Sequence, residues 1–166
     1  MGLFGFLNKK AMEYDLYCPI DGTVIPIDGA EDEVFSKRIL GDGFAVIPTG
    51  NLVCAPADGR IDTVFDTKHA VSMTADFGAE ILIHCGIDTV KLGGEGFEAL
   101  TVSGDRVKKG DPILRINSSL IKEKGYYLTT PVVVLNSDGF SLSEVATGDR
   151  KSGEKAAVLE EKGKKG

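Results

Sequence analysis

The sequence predicts an all-β protein, an antiparallel β-sandwich or barrel-like single domain with one or two short helices. Short runs rich in valine and isoleucine recur along the 166 residues, and pairs of glycine and aspartate separate them. Only two segments have a helical pattern, and both are short. Many short strands at close, fairly regular spacing are typical of a sandwich or barrel, and a hydrophobic fraction of 42% is enough to form a core.

Each predicted strand is a run of five to seven residues in which apolar side chains dominate. Turn pairs such as Asp21-Gly22, Asp58-Gly59 and Gly110-Asp111 close these runs, because both residue types favour tight turns. In chain order the runs cover residues 16–20, 23–27, 44–48, 51–56, 60–65, 70–75, 80–86, 112–116 and 131–136.

The two predicted helices cover residues 33–40 and 118–125. Ser118 is expected to cap the start of the second helix and Gly125 to end it. We expect one domain over residues 15–160, an N-terminal tail over 1–14 and a basic C-terminal tail over 161–166. Leu3, Phe4 and Leu7 have helical spacing in the first tail, which is interpreted either as a frayed end or as a weak contact with a membrane surface.

The charge distribution narrows the class of partner. The chain has 19 basic and 25 acidic side chains, a net charge of −6, and residues 11–149 hold 11 of the basic and 22 of the acidic ones. Such a body repels nucleic acid phosphates, so we expect no nucleic acid partner. It attracts a basic protein instead.

The three cysteines, Cys18, Cys54 and Cys85, lie within apolar runs and have no CxxC spacing. Buried reduced thiols are the expected state, which predicts a cytoplasmic protein. No apolar run approaches the length of a membrane span, and the N-terminus lacks a secretory pattern.

The chain contains only two histidines, and their spacing predicts that they are neighbours. His69 precedes the run 70–75, and His84 lies near the end of the run 80–86. Two strands joined by a turn near Asp76 to Gly78 would be antiparallel and would bring His69 and His84 side by side.

Several kinds of functional site could contain such a pair of histidines. A catalytic zinc site needs further ligands, usually from an HExxH or His-x-His element, and the sequence has neither, so no metal or other cofactor is expected. No GxSxG supports a serine triad, and no lysine has the context of a lipoyl or biotinyl carrier. A phosphorylated histidine needs a neutral nucleophilic ring, an acceptor for its other nitrogen and a second donor. Two histidines and a hydroxyl fit that need, but an ordinary polar residue at a strand end stays an equal alternative.

The segments around the histidines resemble the glucose-type enzyme IIA domain of the phosphoenolpyruvate-dependent sugar phosphotransferase system. The similar segments are GDGFAVIPTG at 41–50, TKHAVS at 67–72, GAEILIHCGIDTV at 78–90, KLGGEGF at 91–97, VKKGD at 107–111 and LTTPVVVLN at 128–136. They occur in the same order across residues 15–160, which makes the resemblance specific.

The resemblance implies that His84 is the phosphoacceptor and attacks through Nε2, while a backbone carbonyl near Gly86 holds its Nδ1–H. It also implies that His69, fixed by the Thr67 hydroxyl, donates to the phosphoryl oxygens. Cys85 departs from the family, which usually has a larger apolar residue there. Because side chains alternate along a strand, the Cys85 side chain is expected on the face opposite His84.

By the same resemblance, an apolar ring with an acidic rim would contact the protein partners. Within the ring we expect Phe35 and Phe65 to be exposed, and Glu80 to be a rim charge on the face of His84. The expected partner-binding residues are Asp32, Val34, Phe35, Ile39, Leu40, Phe65, Glu80, Leu82, Gly86, Asp88 and Val90.

Two functional hypotheses follow from the resemblance. In the first, the chain is a phosphotransferase component that accepts phosphate from the histidine phosphocarrier protein and delivers it to a cysteine of a permease IIB domain. In the second, it is a regulatory binding module that inhibits permeases or metabolic enzymes such as kinases when unphosphorylated. Zinc endopeptidases of related β architecture are a weaker third possibility, because the His-x-His that they need is missing.

Overall fold

The computed structural model describes residues 11–162 and has the predicted antiparallel β architecture. The N-terminal tail with the amphipathic pattern at Leu3, Phe4 and Leu7 lies almost wholly outside the described residues. Within them, no helix is both long and apolar enough to cross a membrane. In chain order the strands are β1 (Glu13–Tyr17), β2 (Gly22–Pro26), β3 (Asp42–Pro48), β4 (Leu52–Cys54), β5 (Gly59–Val64), β6 (Ala70–Ala75), β7 (Glu80–His84), β8 (Phe97–Ala99), β9 (Arg106–Val107), β10 (Pro112–Ile116), β11 (Thr130–Val134), β12 (Phe140–Val145), β13 (Gly148–Arg150) and β14 (Lys155–Glu161).

The strands form one large and two small antiparallel sheets. The large sheet has eight strands in the order β13-β2-β3-β11-β7-β6-β5-β9, and the small sheets have the orders β1-β14-β12 and β4-β10-β8. The main buried cluster draws side chains from all three sheets. This core fixes the large sheet, at whose centre β6, β7 and β11 lie side by side.

Five strands were not predicted from the sequence, namely β8, β9, β12, β13 and β14. Strands β8, β9 and β13 have only two or three residues, too few to show an alternation. Strand β12 alternates serine and glutamate with apolar residues and has only one buried side chain. The apolar run predicted at 16–20 also differs, because β1 spans Glu13–Tyr17 and the chain leaves the strand at Cys18.

Both predicted helices exist but are shorter than expected. Helix α1 spans Glu33–Ser36 and ends before Arg38, whose φ of 57° is incompatible with a right-handed helix. Helix α2 spans Ser118–Glu123, and the prediction of Ser118 as its cap is wrong: Asn117 is the cap, and its Oδ1 accepts from the Leu120 N–H. Gly125 follows the end with a φ of 91°, as predicted.

A second, smaller cluster lies on the outer face of the large sheet. Ile27, Ala30 and Phe35, which belong to the segment around α1, pack with outward side chains of the sheet. Those side chains are Ala70, Leu82, Val133 and, just beyond β7, Ile87. The segment 27–40 therefore covers part of the sheet face and leaves the ends of β6 and β7 at its border.

Candidate functional site

The two histidines lie side by side on the outer face of the large sheet. Strands β6 and β7 pair antiparallel with Ala70 opposite His84, so His69 comes one residue before the paired position. The ladder continues past the strand end, because the Cys85 N–H donates to the His69 carbonyl at 2.7 Å. The ring centroids of His69 and His84 are 4.8 Å apart, with the rings nearly perpendicular.

The side chains of β7 alternate as the sequence predicts. Ile81, Ile83 and Cys85 belong to the main core, whereas Leu82 and His84 are on the opposite face. The expectation for Cys85 is confirmed: its thiol is buried, and burial raises the pKa of that thiol to about 12.

Each histidine has a different partner at Nδ1. His84 Nδ1 lies 2.8 Å from the Gly86 carbonyl oxygen, and His69 Nδ1 lies 2.6 Å from the Thr67 hydroxyl. A carbonyl only accepts hydrogen bonds, so His84 carries its proton on Nδ1 and presents the Nε2 lone pair. A hydroxyl also donates, so His69 can accept at Nδ1 and carry its proton on Nε2.

The surroundings keep both rings neutral. Burial, together with the neighbouring His84, lowers the pKa of His69 to about 4, and only 5% of this residue is exposed. Burial also lowers the pKa of His84, although the Gly86 carbonyl and the charges of Asp32 and Asp88 act in the opposite direction. A neutral imidazole is the form that acts as a nucleophile.

Aromatic rings pack against both histidines. The Phe35 ring centroid is 4.9 Å from that of His84, and the Phe65 ring meets His69 edge-on at 5.6 Å. Phe65 is partly exposed, as expected. The expectation that Phe35 is exposed is wrong, because this side chain is only 4% exposed and fills the cluster under α1.

The histidines border a mainly apolar depression of about 500 Å³. Two of the three acidic residues expected at its rim are there: Asp32 caps α1 by accepting from the Val34 N–H, and Asp88 is exposed with a φ of 59°. Leu82 lines the depression although it is largely buried. The exposed apolar side chains that line the depression are Val34, Leu40, Phe65, Val90 and Leu135.

Three residues expected to contact a partner do not line the depression. Ile39 is exposed and adjoins Leu40, which does line it. Gly86 is buried, and what it contributes is the carbonyl that meets His84. Glu80 is exposed at the far end of β7, and the residues that line the depression do not include it.

Sequence reasoning missed three residues that line the depression, namely Thr63, Ser72 and Leu135. In the strand register Thr63 is opposite Ser72, and Ser72 is opposite Leu82. Counting every second residue outward from Ala70 would have placed Ser72 on this face. Leu135 is two residues after Val133 on the same outer face, so alternation along the predicted run 131–136 would have placed it there too.

Residues 11–162 contain no group of three or more histidine, cysteine or acidic side chains arranged to hold a metal ion. Buried side-chain nitrogen and oxygen atoms in the same residues all have hydrogen-bond partners.

Comparisons with known proteins agree on one family. Residues 14–140 match the family model for the phosphoenolpyruvate-dependent sugar phosphotransferase system, EIIA 1. The chain is 40% identical over 156 residues to the PTS system glucose-specific EIIA component of Haemophilus influenzae, with 94% of each chain covered. It is 43% identical to the component of the same name from Borreliella burgdorferi, covering 87% of this chain and 77% of that one. The solved structure of glucose permease IIA from Mycoplasma capricolum is similar with a TM-score of 0.84 and 38% identity, covering 92% of this chain and 97% of that one.

Proposed function

This chain belongs to the EIIA 1 family of the phosphoenolpyruvate-dependent sugar phosphotransferase system, a phosphoryl relay of sugar uptake, and on that premise we propose that His84 carries the phosphoryl group. The observation that supports this assignment most directly is the hydrogen bond between His84 Nδ1 and the Gly86 carbonyl. It directs the Nε2 lone pair of a neutral ring toward an incoming phosphorus atom.

In the proposed reaction, His84 Nε2 attacks the phosphohistidine of the histidine phosphocarrier protein. The new Nε2–phosphorus bond forms as the nitrogen–phosphorus bond of the carrier breaks. The carrier ring, which bears a proton on its other nitrogen, keeps the electron pair and leaves as a neutral imidazole. In the second transfer, a cysteine thiolate of the permease IIB domain attacks the same phosphorus, and His84 leaves with its electron pair. Nδ1 keeps its proton and its bond to Gly86 throughout.

His69 supplies the second donor. With Nδ1 accepting from Thr67, its Nε2–H is available beside His84 for the phosphoryl oxygens. A donor that is already oriented stabilises the charge that shifts onto these oxygens during transfer. Because its pKa is lowered to about 4, the His69 ring stays neutral near pH 7.

The rim provides the proposed docking surface. Exposed apolar side chains line the depression beside the histidines, of which Val90 is the most exposed at 48%, and Asp32 and Asp88 add negative charge. Ile39, which is 67% exposed and adjoins Leu40 in the chain, is included in the proposed surface. A partner with an apolar patch and basic side chains would bury these apolar side chains and pair with the two carboxylates. The acidic balance of residues 11–149 favours the approach of such a partner.

Phosphorylation in a reconstituted relay tests the assignment. The protein is incubated with labelled phosphoenolpyruvate, enzyme I and the phosphocarrier, and the bound phosphate is expected to be acid-labile and base-stable. His84→Ala should abolish labelling, and full labelling of that variant would contradict the proposal. His69→Gln should accept phosphate but fail to pass it to a IIB domain, and equal loss of both steps would contradict the donor role.

A regulatory role is a second proposal, supported by the apolar rim around neutral rings. Phosphorylation would add about two negative charges in the middle of this rim and disfavour an apolar partner. We therefore expect a regulated permease or kinase to be captured by the unphosphorylated protein alone, and capture by both forms would count against the proposal. We place both activities in the cytoplasm, since the three free, buried cysteines suit a reducing compartment.

A further inference from the structure

Thr89 is fully buried five residues beyond His84, and the proposed phosphoryl transfer does not use it. Its hydroxyl donates to the Cys85 carbonyl oxygen at 2.6 Å, a short bond across the turn that follows β7. Thr89 also begins a one-turn 3-10 helix that ends at Leu92. Thr89 is therefore bonded to the residue that directly follows the proposed phosphoacceptor.

The backbone of Cys85 is held at both ends. Its N–H donates to the His69 carbonyl at 2.7 Å, and its carbonyl accepts from Thr89. The residue that follows His84 is therefore fixed relative to His69 on one side and to the turn on the other.

The Thr89 methyl group packs closely against Gly86. A Cβ added at Gly86 would be 2.5 Å from Thr89 Cγ2 and 3.0 Å from the Tyr127 carbonyl oxygen. The Tyr127 carbonyl also accepts from the Ile87 N–H at 3.0 Å. Gly86 thus fits between a carbonyl and the Thr89 side chain.

Gly86 needs such restraint. Its φ is 83°, and glycine adopts positive and negative φ values about equally readily, so the residue itself does not fix this conformation. Its carbonyl is the acceptor that keeps the His84 proton on Nδ1. If this carbonyl moved away, the neutral ring would also populate the form with its proton on Nε2, which has no lone pair there for phosphorus.

We propose that Thr89 is a positioning residue: its hydroxyl holds the Cys85–Gly86 peptide so that the Gly86 carbonyl keeps His84 Nε2 unprotonated. This inference rests on the proposed role of His84 in phosphoryl transfer. Thr89 touches neither the ring nor the phosphoryl group, and it acts through the backbone.

Two substitutions separate the hydroxyl from the methyl group. Thr89→Val keeps the shape and removes the donor, whereas Thr89→Ser keeps the donor. Thr101→Val is a matched control, because Thr101 is also buried and donates to Asp105 at 2.8 Å, outside the residues that line the site. All variants are compared with the wild-type full-length chain for folding by circular dichroism and thermal unfolding.

The first readout is the pair of ¹⁵N chemical shifts of the His84 ring in the unphosphorylated protein at neutral pH. In the wild-type protein the two shifts should be far apart, because Nδ1 carries the proton and Nε2 carries none. Thr89→Val should bring them closer together, whereas Thr89→Ser and Thr101→Val should leave them at wild-type values. The second readout is the rate of phosphorylation by the phosphorylated carrier, which should fall about tenfold in Thr89→Val alone.

Unchanged ¹⁵N shifts in Thr89→Val would overturn the proposal whatever the rate, and so would changed shifts with a wild-type rate. Shifts that change equally in Thr101→Val would mean a general loss of stability and would also overturn it. Should Thr89→Val fail to fold, Thr89→Ala replaces it with the same expected and contrary results. The ring shifts are measured without partners, so they remain decisive for Thr89 even if labelling of His84→Ala disproves the phosphoacceptor assignment.

Discussion

The lowered pKa of His69 makes a quantitative prediction about stability. In the folded protein this pKa is about 4, because burial and the neighbouring His84 disfavour the charged ring, and the ordinary value is 6.5. Below pH 6.5, His69 is therefore mostly protonated in the unfolded chain but stays neutral in the folded protein. Stability linked to this group is complete above pH 6.5 and falls as the pH drops toward 4.

The expected size follows from the two pKa values. Between pH 7 and pH 5, protonation of His69 favours the unfolded state by about 2 kcal/mol. His69→Gln has no such group, so its free energy of unfolding should fall about 2 kcal/mol less than that of the wild-type protein over this interval. Carboxylates elsewhere titrate in both proteins, and their contribution cancels in the difference.

The measurement is urea unfolding of the wild-type protein and His69→Gln at pH 7, 6 and 5 and at constant ionic strength. The dependence of the free energy on urea should be equal in the two proteins, which shows that the same surface is exposed on unfolding. Equal falls in stability, within about 0.5 kcal/mol, would refute the reasoning that burial keeps His69 neutral.

Three further predictions concern neighbouring residues. Phe35→Ala should lower the free energy of unfolding by about 3 to 5 kcal/mol, because it leaves a cavity at a buried site. Ile39→Ala should leave the free energy of unfolding unchanged and weaken carrier binding, because Ile39 is exposed. Similar effects of the two variants on stability would contradict this distinction. Asp88→Asn should lower the pKa of His84 further, because a charge that favours the protonated ring is removed, and an NMR titration that shows no decrease would count against it. Cys85 should resist a thiol reagent in the native protein and react only after unfolding, so rapid native labelling of Cys85, read by mass spectrometry, would disagree with its burial.

Local patterns were sufficient to predict the strands around the site. Alternation in the run 80–86 placed His84 on one face and Cys85 on the other, and the turn before β7 predicted the antiparallel pairing that joins His69 to His84. These features depend on the period of the strand and the chemistry of the turn, which the sequence contains.

Long-range packing could not be predicted in the same way. Phe35 was expected at the surface, but the segment 27–40 folds onto outward side chains of three strands and buries it. The short helix α1 ends early, since Arg38 adopts a left-handed conformation and donates to Asp42. The burial of Phe35 depends on contacts between separate parts of the chain, whereas the end of α1 depends on a local contact four residues apart.

The sequence by itself determined the antiparallel fold, the adjacent histidines and, through its resemblance to a family, the roles proposed for His84 and His69. Only the tertiary structure decided the electrostatic state of the site, because the pKa of each ring depends on its burial and on its neighbours, which are His84 for His69 and the Gly86 carbonyl, Asp32 and Asp88 for His84. It also decided which apolar residues support the histidines and which are free to contact a partner. The link from Thr89 to Gly86 belongs to the structure as well, since a turn with two left-handed residues, Gly86 and Asp88, brings its side chain back to Gly86 and the Cys85 carbonyl.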